Sequence, residues 1–249
     1  MITAEKRFIL PLACLALASL LLFCLLLHPA VKGNFTTHAP AKSTEKGGEA
    51  PQIPHSIRIC VDAGHGGADA GAVGEAANGV TVREKDLTLA VAQKLGARLS
   101  ACGFSVIYTR SGDRRMCAGN AADELRARLA FVAEEQADLL LSLHANAYRG
   151  AGRAYGARVY YNPENQEAAR AAALLAAHIS QHTGRLIGRD ARTEPDASYA
   201  VLRDSARPAL LVEMGFLTDA AELALMQTEE WQNAFADAVC EALVALTGE

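Results

Sequence analysis

The sequence predicts an α/β fold with a mostly parallel, six-stranded sheet and helices on both faces. Short apolar segments typical of strands alternate along the chain with longer segments of helical periodicity. The helical segments carry apolar residues at steps of four, which suits a helix that packs one side on a sheet. We therefore expect six strands and at least four helices.

The first half of this pattern contains three strands and two helices. The strand SIRICVD precedes a helix from about Glu84 to Ala101, which Gly103 ends. The strand FSVIYTR follows, then a helix near Asp123 to Gln136, then the strand DLLLSLHAN. The apolar stripes of the two helices are Leu87, Val91, Leu95 and Leu99, and then Leu125, Leu129 and Val132. Both helices should cover sheet faces.

The second half continues with the strand GARVYY and a long helix after Pro163 that ends near Gly184. A short strand SYAVLRD and the apolar strand ALLVEMGF come next. The final helix carries Trp231, Phe235, Val239, Ala242 and Leu246. In open α/β sheets, functional sites gather outside the carboxyl ends of the strands, so residues at those ends are the candidates for chemistry.

The chain divides into three segments. Residues 8–27 form an unbroken apolar run behind Lys6 and Arg7, and at about 1.5 Å per residue such a run spans a bilayer of about 30 Å. We interpret residues 1–27 as a cytoplasmic stub with a membrane anchor; a cleaved signal peptide and secretion is the alternative. Residues 28–54 have the composition of a flexible linker, and residues 55–249 form a single catalytic domain outside the cytoplasm.

Charge and cysteine content exclude some classes. The formal net charge is -4 and no basic stripe with interleaved aromatic residues is present, which argues against nucleic acid as a partner. The cysteines after the linker lack CxxC spacing and are too sparse for a disulfide framework: Cys60, Cys102, Cys117 and Cys240. We interpret most as packed thiols, and the sequence leaves open whether Cys102 and Cys117 are bridged.

Two histidines and two carboxylates fall where predicted strands end or a helix begins. His65 follows the first strand, His144 closes the third, Glu213 lies in the last, and Glu84 opens the first helix. A hydrolytic zinc site needs three nitrogen or oxygen ligands, one open position and a separate carboxylate that moves protons. We expect His65, Glu84 and His144 to bind Zn²⁺ and Glu213 to be the catalytic base.

Each of these residues has a simpler interpretation when taken alone. The glycine-rich loop around His65 could hold a phosphate, but it lacks GK[ST] and has Asp69 in place of the third glycine of GxGxxG. Glu84 could merely complement a helix dipole. Glu213 is more telling, because a carboxylate at the end of so apolar a strand is costly to bury without a cation or a proton.

A rival histidine pair occurs in HISQH, where His178 and His182 stand four residues apart on one predicted helix. The spacing resembles the metalloprotease motif HExxH, but Ile179 occupies the position of its general base and no strong third ligand follows nearby. We interpret this pair as part of a solvated helix face.

The motifs VDAGHGG, REKDLTLAVA, SLHANA and AVLRDSARPALLVEMGFLTDAAE, in this order, resemble the zinc-dependent N-acetylmuramoyl-L-alanine amidases of the amidase-3 type. The resemblance covers nearly all of residues 56–246. It implies an α/β fold and hydrolysis of the amide between N-acetylmuramic acid and L-alanine in peptidoglycan. It also implies His65, Glu84 and His144 as zinc ligands and Glu213 as the catalytic acid and base.

An anchor, a linker and a bare catalytic domain look like the amidases of the spore cortex, which act with a partner deacetylase. A general cell wall amidase would have the same site, and architecture is only an associational argument. Two other functions stay open: a catalytically silent peptidoglycan-binding or activator domain, and a zinc peptidase that cuts stem peptides.

Overall fold

A six-stranded sheet forms the centre of the structure, a computed structural model that describes residues 57–151 and 154–248. The sheet strands are β1 (Arg58–Ala63), β4 (Ser105–Tyr108), β5 (Leu139–Asn146), β6 (Arg158–Tyr161), β7 (Arg192–Pro195) and β8 (Ala209–Phe216). Their order in the sheet is β4-β1-β5-β8-β6-β7. All neighbouring strands pair in parallel except β6 and β8, which are antiparallel. This confirms the predicted fold class.

Helices cover both faces of this sheet, and a separate hairpin joins β2 (Val73–Glu75) to β3 (Thr81–Arg83). The third helix continues through a π-helical turn, Ser180–Gly184, into a short fourth helix. The helices are α1 (Glu84–Ala101), α2 (Ala121–Glu134), α3 (Gln166–Ile179), α4 (Arg185–Ile187), α5 (Ala200–Arg203), α6 (Ala220–Met226) and α7 (Glu229–Thr247).

Alternation along the strands divides the core into two layers. One set of strand residues packs under α1, α3 and α7 in the larger layer: Ile59, Val61, Ala63, Leu139, Leu141 and Leu143. The intervening residues Cys60, Leu140 and Leu211 pack with α2 and α5 in a smaller layer. All four residues of the predicted α1 stripe are buried, and each buried leucine or valine contributes roughly 1.5–3 kcal/mol.

One predicted strand is wrong. SYAVLRD contains the short helix α5, and the sixth strand is instead β7, with the sequence RTEP. In α5, Val201 and Leu202 point into the smaller core layer. β7 is a polar, largely exposed edge strand that pairs only with β6. An edge strand of this kind buries little apolar surface, so it lacks the alternation from which strands are predicted and it tolerates Pro195.

The cysteine interpretation also needs correction. Cys102 is bridged to Cys240, not to Cys117, and the bridge joins the end of α1 to α7 across 138 residues of sequence. Cys60 and Cys117 are free. Helices α1 and α7 pack side by side on one sheet face, which brings together two cysteines that nothing in the local sequence connects.

The predicted anchor and linker lie outside the described residues. Among the residues that the structure does describe, no helix is both long and apolar enough to cross a membrane.

Candidate active site

The candidate site forms at the carboxyl edge of the sheet, where β1, β5 and β8 end side by side. His144 and Glu213 are direct partners in the parallel ladder between β5 and β8. Gly64 directly follows β1, and its N–H donates to the carbonyl oxygen of Leu143 at 2.9 Å. The end of β1 therefore lies beside the end of β5. His65 follows Gly64, and Glu84 is the first residue of α1. The structure therefore brings all four predicted site residues to one edge.

His65, Glu84 and His144 lie close enough to hold one metal ion. His65 Nε2 is 3.1 Å from Glu84 Oε2, and His144 Nδ1 is 2.9 Å from Glu84 Oε1. One ligand atom from each residue lies within 4.8 Å of the others. Zn²⁺ bonds of about 2.0–2.2 Å in a tetrahedron put ligand atoms roughly 3.3 Å apart. Two imidazoles and a carboxylate with this spacing fit a zinc ion.

Glycines let these side chains approach each other. A Cβ atom on Gly64 would lie 2.4 Å from His144 Cε1, and a Cβ atom on Gly71 would lie 2.6 Å from Glu84 Oε2. His65 itself has a φ of 62°, a left-handed conformation that is uncommon outside glycine. The glycines of this loop therefore leave the space that the ligand side chains need to converge.

The charges of the three residues are mutually dependent. Burial alone would lower the pKa of His65, but the hydrogen bonds and negative charges of Glu84 and Asp69 raise it to about 9. Burial opposes ionisation of Glu84, yet the hydrogen bonds from both histidines hold its pKa well below the ordinary value. A proton on His65 therefore competes with any bound cation.

Glu213 differs from the ligand set in its surroundings. Its side chain is buried, and its Oε2 atom has no hydrogen-bond partner among the described residues. Burial raises the pKa of Glu213 to about 7, with a further upward contribution from Glu84. A carboxyl group that titrates near neutral pH can both accept and donate a proton, which is the property of a general acid and base. The expected cost of burying this carboxylate thus takes the form of a raised pKa.

Sequence reasoning missed Asp69, which supports His65. Asp69 Oδ2 lies 2.9 Å from His65 Nδ1, so the carboxylate orients the ring while Nε2 faces Glu84. A carboxylate on the second ring nitrogen is the common outer partner of a metal-binding histidine. The local signal was its position four residues after His65 in the same glycine-rich loop.

Two buried arginines, also missed, hold the loop from below. Arg128 donates to the carbonyl oxygens of Ala63 at 2.8 Å and of His65 at 2.6 Å, and Arg110 donates to those of Ala63 at 2.8 Å and of Gly64 at 2.9 Å. Arg128 also pairs with the buried Asp62 at 2.5 Å. For Arg128, the signal in the sequence was a charged residue on the apolar stripe of α2, four positions before Val132.

A cleft of about 330 Å³ opens beside the ligand set, on the face of the sheet that α2 and α5 cover. His65 and His144 line one part of it, and Arg115 and Val201 line another. The arrangement has what a metal-assisted hydrolase needs: a ligand set, a nearby proton-transfer group and an adjoining cleft.

The rival histidine pair is not a plain solvated face. His178 and His182 have side chains only 24% and 22% exposed, and Glu241 of α7 lies between them. The third ligand that the local sequence lacked comes from another helix, and one possible ligand atom from each of the three residues lies within 4.8 Å of the others.

Comparison with known proteins points to one family. A family profile described as N-acetylmuramoyl-L-alanine amidase matches residues 59–245. Protein YqiI of Bacillus subtilis is 32% identical over 185 residues, which cover 74% of this chain and 82% of that protein. The germination-specific N-acetylmuramoyl-L-alanine amidase of Bacillus subtilis is 26% identical over 193 residues, 75% of this chain and 78% of that protein.

A solved structure gives the same result. The CwlD amidase of Clostridioides difficile, solved in complex with the GerS lipoprotein, superposes with a TM-score of 0.67 at 26% identity. The superposition covers 77% of this chain and 98% of that chain. The sheet, its helices and the region of the candidate site therefore all lie within the shared fold.

Proposed function

The chain belongs to the N-acetylmuramoyl-L-alanine amidase family, and from that membership we propose that it is a zinc-dependent amidase of peptidoglycan. It hydrolyses the amide between the lactyl group of N-acetylmuramic acid and the L-alanine of the stem peptide. The observation that carries this proposal is the convergence of His65, Glu84 and His144 next to the buried Glu213.

Three residues form the proposed zinc site. His65 and His144 present ring nitrogens and Glu84 a carboxylate to one position, while Asp69 fixes the ring of His65. A zinc ion, when bound there, supplies Lewis-acid polarisation of the scissile carbonyl and of the attacking water.

Glu213 moves the proton. Its unpartnered Oε2 atom accepts a proton from the attacking water, and the same carboxyl group then donates that proton to the leaving amine of L-alanine. A pKa of about 7 suits both steps, because the group is ionised often enough to act as a base and protonated readily enough to act as an acid.

We also propose that residues 8–27 anchor the enzyme in a membrane with its catalytic domain outside the cytoplasm. The apolar run behind Lys6 and Arg7 supports this. Of the possible roles in the wall, a role in the spore cortex is supported by similarity to a germination-specific amidase of Bacillus subtilis. In that role a peptidoglycan deacetylase would act with it.

Mass spectrometry of muropeptides tests the reaction. The full-length protein with Zn²⁺ should release intact stem peptides with a free L-alanine amine from purified peptidoglycan, and a chelator should abolish the release. Cut stem peptides would instead indicate a zinc peptidase. Binding to peptidoglycan without any product would indicate a silent binding or activator domain.

A further inference from the structure

A second cluster of metal-binding side chains lies on helices that carry none of the residues of the candidate active site. His182 Nε2 is 2.8 Å from Glu241 Oε2, and His178 Nδ1 is 3.6 Å from the same oxygen. These distances lie on either side of the roughly 3.3 Å that separates ligand atoms in a tetrahedral zinc site. The two imidazole rings are stacked with centroids 6.5 Å apart.

One atom of this cluster lacks a hydrogen bond. His178 Nδ1 is shielded from solvent and makes no hydrogen bond among the described residues, although it faces Glu241 Oε2 at 3.6 Å. A shielded ring nitrogen without a hydrogen bond destabilises the folded state. A cation between His178, His182 and Glu241 would remove that destabilisation, because Nδ1 would then coordinate it.

The backbone at this cluster is also specialised. His182 lies in the π-helical turn Ser180–Gly184, which interrupts the helix that starts with α3. Such turns are rare and frequently occur at functional sites. Helix α7 packs along α3 and the π-helical turn, and it supplies Glu241.

We propose that His178, His182 and Glu241 form a second metal site, which binds a divalent transition-metal ion such as Zn²⁺. Two imidazoles with one carboxylate favour borderline metals over Mg²⁺ or Ca²⁺, which prefer oxygen ligands. The site is structural in effect: the ion links the π-helical turn to α7. This proposal does not depend on the amidase reaction.

Zinc titration of the metal-free, full-length protein by calorimetry tests the proposal. The wild type should bind two equivalents of Zn²⁺. His182→Ala should bind one, while the matched control Gln181→Ala, an exposed neighbour in the same turn, should still bind two. Equal stoichiometry for the wild type and His182→Ala would overturn the proposal.

A second measurement keeps the test valid if His182→Ala folds poorly. In a His144→Ala background, which damages the first ligand set, Zn²⁺ should still raise the melting temperature of the full-length protein. Adding Glu241→Gln, a change at a half-exposed side chain, should abolish that rise. A rise that survives Glu241→Gln would contradict the second site. Loss of amidase activity in the same background bears only on the first site.

Discussion

Two clusters in this protein share the same three ligand types but differ in what surrounds them. His65, Glu84 and His144 stand at strand ends, with Glu84 only 4% exposed. In the second cluster the carboxylate, Glu241, has a side chain 52% exposed and lies on a helix surface. The first cluster has an additional buried carboxylate, Glu213, with a pKa raised to about 7.

This comparison indicates that the ligand residues decide whether a metal ion can bind, whereas the residues around them decide whether the site can catalyse a reaction. At the first cluster, buried arginines fix the loop backbone and glycines allow close approach. The second cluster joins α3 and its π-helical turn to α7. Catalysis needs the positioned base and the cleft as well as the metal.

The largest effect should come from removing the base. Glu213→Gln keeps the size of the side chain but cannot accept a proton, so kcat on peptidoglycan should fall about 10²- to 10⁴-fold. Zinc affinity should change little. The control Glu230→Gln, at an exposed position of α7, should keep wild-type turnover. Unchanged kcat in Glu213→Gln would refute the assignment of the base.

Removing the arginine beneath the loop should mainly affect stability. Arg128→Met leaves the buried Asp62 without its cation, and breaking a buried pair in this way costs about 3–5 kcal/mol. Urea unfolding followed through the single tryptophan, the buried Trp231, measures the loss. Arg126→Met on the exposed side of α2 should cost about 1 kcal/mol at most. Equal losses for the two variants would mean that Arg128 does not support the site.

The outer partner of His65 should tune metal binding. Asp69→Asn weakens the orientation of the ring, so zinc affinity of the first cluster should fall about 10- to 100-fold. Competition with a chromophoric chelator measures this affinity. Asp196→Asn, which alters a carboxylate that accepts from Ser198 N on another loop, is the control and should leave affinity unchanged.

The smallest effect is the pH dependence. Activity should fall about tenfold per pH unit on the acid side, because protonated Glu213 cannot act as a base. The limb should lie between about pH 5 and about pH 7, since burial raises the pKa of Glu213 and the charge of a bound cation favours the ionised carboxylate. A flat profile between pH 5 and pH 8 at saturating zinc would contradict this. The limb should be absent from the residual activity of Glu213→Gln.

The free energy of unfolding of the metal-free protein should also depend on pH because of Glu213. The folded-state pKa of Glu213, about 7, exceeds its ordinary value of 4.5. Its stabilising contribution is therefore fully present below about pH 4.5 and is lost as the pH rises through about 7. Glu213→Gln should lack this component when unfolding is measured across the same range.

Much of the fold was predictable from local pattern. The α1 stripe and the apolar strands β5 and β8 appear as expected, because buried regular elements leave a periodic trace in the sequence. β7 was missed because an exposed edge strand has no apolar period. SYAVLRD was misassigned because so short a segment with two apolar residues suits a single helical turn as well as a strand.

Some residues of the candidate site could likewise be predicted from the sequence, and others could not. His65, His144 and Glu213 could be nominated because chemical residue types interrupt apolar strands at their ends, where parallel sheets gather functional groups. Asp69, Arg110 and Arg128 could not be assigned their contacts from sequence, because these depend on the path of a loop and on helix packing.

The sequence by itself determined the fold class, the carboxyl edge as the place of chemistry and the four residues that meet there. Only the tertiary structure decided the pairing of Cys102 with Cys240, the arginines beneath the loop and the addition of Glu241 to His178 and His182. The physical reason is range. Periodicity and strand ends are local properties of the chain, whereas these contacts join segments that only helix and sheet packing bring within a few ångströms of each other.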